Sequence, residues 1–96
     1  MPIIIHPSIA AKLGSAHGVS EREVAQCFDN MDRAALLDKR EKHKTNPPTQ
    51  WFISVTNKNR ELKVVFIQNG RDIVVKSAFE PNAEERRIYL KYASLI

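Results

Sequence analysis

Residues 50–78 read QWFISVTNKNRELKVVFIQNGRDIVVKSA, and this stretch decides the fold. Apolar and polar side chains alternate with a period of two, rich in β-branched and aromatic residues, which predicts strands over 51–56, 61–67 and 72–78. Asn69-Gly70 is a strong two-residue hairpin signal, because both residue types tolerate positive φ in a type I′ turn. Asn57-Lys58-Asn59-Arg60 forms a second, weaker turn, so the three strands make an antiparallel meander.

Turn length sets which residues face each other. With Asn69-Gly70 as a two-residue loop, Gln68 pairs with Arg71, Val65 with Val74 and Lys63 with Lys76. With Asn57 opposite Arg60, Ser54 falls opposite Lys63. One sheet face then collects Trp51, Ile53, Val55, Leu62, Val64, Phe66, Ile73 and Val75, an apolar set suited to a core under helices. The other has a polar centre of Ser54, Thr56, Glu61, Lys63 and Lys76. Two lysines directly opposed in a sheet repel. A bound anion such as phosphate accounts for that pair; so does a splaying of both side chains into solvent, relieved by Glu61 and Asp72. A one-residue slip in either turn separates the two lysines.

Outward from the meander the pattern turns helical. Ile3 to Ile5 suit a short first strand, and Pro7 suits the first turn of a helix carrying Ile9, Leu13 and Ala16, closed by Gly18. Ser20 and Glu23 form a capping box ahead of a stripe of Val24, Cys27, Phe28 and Met31. Ala34 to Leu37 fit a short strand. A polar, mostly basic run follows from Asp38 to Thr49 with prolines at 47 and 48, a loop by composition. Asn82 with Glu85 caps a last helix whose stripe is Ile88, Tyr89, Tyr92 and Leu95. The predicted fold is α+β, a single domain over 1–96 in the order β-α-α-β-β-β-β-α, with helices packed on one face of the sheet.

Ninety-six residues bury one core, and no run approaches the length of a membrane span. The opening residues lack the basic leader and cleavage site of a secretory signal, and one cysteine makes no internal disulfide; both lead us to expect a cytoplasmic protein with no membrane partner. Net charge is +4, and its location matters more than its size. Residues 33–63 hold eight lysines and arginines against three acidic residues, a polarity that attracts polyanions. A solvated basic loop has the same composition. Phosphate-binding glycine loops, Cys-x-x-Cys, His-Glu-x-x-His and nucleophile elbows do not occur. Cys27, on an apolar stripe with no basic neighbour, reads as a small core residue. His6 reads as an entry-turn residue and His17 as a helix C-terminal one, whereas His43 lies in the basic run, where an imidazole can serve acid–base chemistry or simply stay solvated.

Several motifs, in order, resemble the BrnT family of small bacterial toxins, which share the RelE-type ribonuclease fold. They are His17-Gly18-Val19-Ser20 with Val24 and Phe28, Asp38-Lys39-Arg40, Trp51-Phe52-Ile53, Arg60-Glu61-Leu62-Lys63-Val64-Val65-Phe66, Lys76-Ser77-Ala78, and Glu85-Arg86 with Tyr89. The likeness spans roughly residues 14–92. This chain has Thr45 to Gln50 where the family usually carries Gly-Glu-x-Arg, and Phe79 where it often carries arginine. The resemblance implies a toxin of a type II toxin–antitoxin system: a metal-independent endoribonuclease without cofactor, whose partners are RNA and a cognate antitoxin. In such chemistry a base takes the ribose 2′-OH proton, an acid protonates the leaving 5′ oxygen, and cations hold the phosphorane charge. Arg60, Lys63 and Lys76 are assigned to that charge and His43 to acid–base work, with Lys63 as the alternative if Lys76 lowers its pKa. Arg40, Lys42 and Lys44 are assigned to the RNA backbone, with Ser54 and Thr56 on the same face. Arg86 and Tyr89 match the closing motif and are assigned on that resemblance to the catalytic and RNA-binding sets respectively; an ion pair of Arg86 with Glu85 or its neighbours and a core or antitoxin contact for Tyr89 serve as well. The alternative function is a basic binding module, or a pseudo-toxin that binds a protein or nucleic acid without turnover.

Overall fold

The computed structural model describes residues 2–38 and 46–96. Within them the elements are β1 (Ile3–Ile4), α1 (Pro7–His17), α2 (Glu21–Asp29), β2 (Leu36–Leu37), β3 (Thr49–Val55), β4 (Glu61–Asn69), β5 (Asp72–Phe79) and α3 (Ala83–Tyr92), in the order read from the sequence. Together they form a small α+β domain around a five-stranded sheet, ordered β1-β5-β4-β3-β2. β1 runs parallel to β5 and the other neighbours are antiparallel, so the sheet is mixed.

The helix ends follow local chemistry. Pro7 opens α1, and Gly18, at φ 60°, closes it in the left-handed region. Its N–H donates to the Gly14 carbonyl while Val19 donates to Leu13, satisfying the last carbonyls of the helix. The Ser20 hydroxyl accepts from the Glu23 N–H at 3.1 Å, and the Glu23 carboxylate accepts from the Ser20 N–H at 3.0 Å. Asn82 and Glu85 repeat this box at α3, at 2.8 and 3.0 Å.

Strand register departs from the expectation at both turns. Between β3 and β4, Thr56 donates its N–H to the Arg60 carbonyl, and the loop is three residues long with Asn59 at φ 63°. A left-handed third residue is the usual way to close such a loop. Ser54 therefore faces Leu62, and Lys63 faces Ile53. Between β4 and β5 the loop is Gly70-Arg71, with Gly70 at φ 64° and Asn69 paired to Asp72. A register shift between Val65 and Phe66 then leaves Lys76 as the extra residue of a β-bulge, and Lys63 lies opposite Phe79. The expected Lys63–Lys76 pair does not form.

The slip changes the faces. Because side chains alternate, Phe52 rather than Trp51 or Ile53 joins Leu62, Val64, Phe66, Ile73 and Val75 beneath α1 and α2. There they meet Leu13, Val19, Val24 and Cys27, and the Phe28 ring stands edge-on to Phe52 (4.8 Å) and Phe66 (5.6 Å). Trp51, Ile53 and Lys63 lie on the opposite face, which is covered by α3 rather than by solvent. The Tyr89 ring sits 5.7 Å from Trp51, and its hydroxyl donates to the Arg33 carbonyl at 3.0 Å. Helices thus pack on both faces of the sheet, not one. The tail beyond α3 is tied down too, with Ala34 donating to Ser94, Ile96 to Asp32, and the Arg33 guanidinium to the Ala93 carbonyl. No helix among the described residues is long and apolar enough to cross a membrane.

Candidate functional site

A cleft of about 920 Å³ opens between β2, β3 and α3. Its apolar lining comes from Leu36, Leu37, Trp51, Ile88 and Tyr92, with Asp38, Lys63, Glu84 and Glu85 as its charged residues. Lys63 is its most constrained group. The side chain leaves the middle of β4, only 7% of the residue is exposed, and the ammonium lies 2.6 Å from the Glu85 carboxylate. It also stands 4.5 Å from the centre of the Trp51 ring and 5.5 Å from that of Phe79, both within reach of a cation–π attraction. One carboxylate serves two purposes here: Glu85 caps α3 with one oxygen and neutralises a buried lysine with the other.

Arg60 occupies a different place, where the α1–α2 junction meets the ends of β4 and β5. Its guanidinium donates to Glu80 at 3.0 Å, to Glu23 at 3.1 Å, and to the carbonyls of Gly18 (2.8 Å) and His17 (3.1 Å). The Ser20 backbone N–H, aided by Arg60, holds the Glu23 carboxyl below its ordinary value, and Glu80 and Glu23 raise Arg60 further. Arg86 pairs with Glu61 across α3 and β4. Lys76 is exposed at the bulge.

Among the described residues the assigned catalytic cations do not converge on one open site: Arg60, Lys63 and Arg86 are each engaged by carboxylates of the chain, and Lys76 does not face Lys63. Since Phe79 rather than Lys76 lies opposite Lys63, the like-charge contact on which Lys63 was to serve as the alternative acid–base group is absent among the described residues. Ser54 is buried on the α1–α2 side, its hydroxyl without a hydrogen-bond partner among the described residues, and it does not share a face with Lys63. The Thr56 hydroxyl accepts from the N–H groups of Lys58 and Arg60 and belongs to the turn. Tyr89 is a core residue, its phenol pushed up to about 12 by burial and then by the Asp32 carboxylate. Arg40, Lys42, His43 and Lys44 lie outside the described residues.

Cys27 is fully buried, and its thiol is pushed up to about 11 by burial, with Glu23 adding to the effect; the inert core role read from the sequence holds. His6 stands just ahead of α1, its backbone carbonyl accepting from Ile9 and Ala10, and His17 is the last residue of the helix, the ring 5.5 Å from Phe79. No group of three or more metal-ligating side chains occurs among the described residues. The sequence reading missed the partners: Glu80 and Glu23 for Arg60, Glu85 for Lys63 and Glu61 for Arg86. The Ser20–Glu23 and Asn82–Glu85 capping spacings were the visible signals, and they located Glu23 and Glu85 without revealing the second contact of either. No protein-family model matches the chain, and no curated protein does.

Proposed function

We propose that the protein is a binding module of the toxin–antitoxin kind, engaging a partner without turning over RNA. The observation that carries this reading is the pairing of its cations. Arg60, Lys63 and Arg86 each hold a carboxylate of the same chain. Stabilising a phosphorane requires cations already aimed at the phosphate, and recruiting these three would first break ion pairs that tie the layers together. The ordered motifs behind the BrnT resemblance support a toxin-type fold, and five of their residues, Arg60, Glu61, Lys63, Glu85 and Arg86, take part in this internal scaffold.

A second reading, the metal-independent endoribonuclease, draws on one specific observation. Asp38 lines the cleft that holds Trp51, Lys63 and Glu85, and the chain passes from it directly into the basic run containing Arg40, Lys42, His43 and Lys44. Induced expression in bacteria, with growth and mapped RNA ends as readouts, separates the two. The binding reading expects neither arrest nor new RNA ends, and a stable complex with the product of the adjacent gene. Arrest with new ends that disappear in His43→Ala or Lys76→Ala, at unchanged urea stability, would establish the ribonuclease instead. Neither arrest nor a complex would reject both. Lys63→Ala is unsuitable as the diagnostic variant, because it also removes a buried ion pair.

A further inference from the structure

We draw no further inference here: the strongest candidate, the apolar cleft between β2, β3 and α3 floored by Trp51 and the Lys63–Glu85 pair, belongs to the site already described, its carboxylates are engaged within the chain, and nothing in the structure shows what covers it.

Discussion

Glu85→Gln should destabilise the protein more than Lys63→Met, although both break the same ion pair. The asymmetry comes from burial. The Lys63 side chain is 9% exposed and that of Glu85 is 21% exposed. Glutamine keeps the cap, since its side-chain oxygen can still accept from the Asn82 N–H, but it leaves the ammonium without a counter-charge between Trp51 and Phe79. Removing one partner of a fully buried pair costs about 3–5 kcal/mol, and the remaining hydrogen bond and partial exposure of Glu85 bring this to about 2 kcal/mol. Methionine at 63 keeps the packing on Trp51, and the Glu85 carboxylate retains its cap bond and some water, so we expect a loss of about 1 kcal/mol. The double variant should lose about 1 kcal/mol as well, leaving a coupling of about 2 kcal/mol between the two sites. Urea unfolding followed by fluorescence reads this directly, because Trp51 is the sole tryptophan and lies against the lysine. Circular dichroism on the same samples checks that one transition is being followed. Equal losses in the two single variants, with a double variant equal to their sum, would refute the reasoning and make the pair an ordinary solvated one.

Three further outcomes follow from the same geometry. Arg60→Ala should lose about 2–3 kcal/mol in urea unfolding, and Arg60→Lys most of that, since an ammonium cannot reach two carboxylates and two carbonyls at once; Arg87→Ala, which breaks only the exposed i,i+3 pair with Glu84, should leave the urea midpoint essentially unchanged. Cys27 should resist a disulfide reagent in the native protein and react fully in denaturant, whereas rapid native labelling would contradict its burial. Stability should fall at both ends of the pH range. Glu23 has a depressed pKa, so its contribution is present above about pH 4.5 and fades as pH drops through its folded value. Cys27 and Tyr89 have raised values, so the stability tied to their neutral forms is whole below about pH 9 and is lost as pH climbs through about 11 and 12; urea midpoints at pH 8 and above 10 measure it.

How far the site was legible depends on the range of the interactions involved. Trp51, Lys63 and Glu85 each stood inside a recognised element, yet the cleft they share depends on which face of the sheet α3 covers. The α3 stripe of Ile88, Tyr89, Tyr92 and Leu95 says that one side of the helix is apolar and not which surface it meets; in the fold Tyr89 is buried while Tyr92 and Leu95 stay exposed. Arg60 was visible as a turn cation, but its partners lie 20 to 43 residues away along the chain, beyond the reach of any local pattern.

By itself the sequence determined what is local: the element order, the capping boxes at Ser20 and Asn82, the left-handed Gly18, and the apolar character of the sheet strands. Each of these is settled within a few residues by backbone hydrogen bonds and steric preference. The register, the second helical layer and the partners of the charged residues came from long-range packing. A strand repeats every two residues, so the three-residue turn closed by Asn59 and the bulge at Lys76 were enough to exchange the expected faces. Those two features set Ile53 and Phe79, in place of Ser54 and Lys76, opposite Lys63, and the packing of α3 on that face turned an expected open, like-charged surface into a buried ion pair.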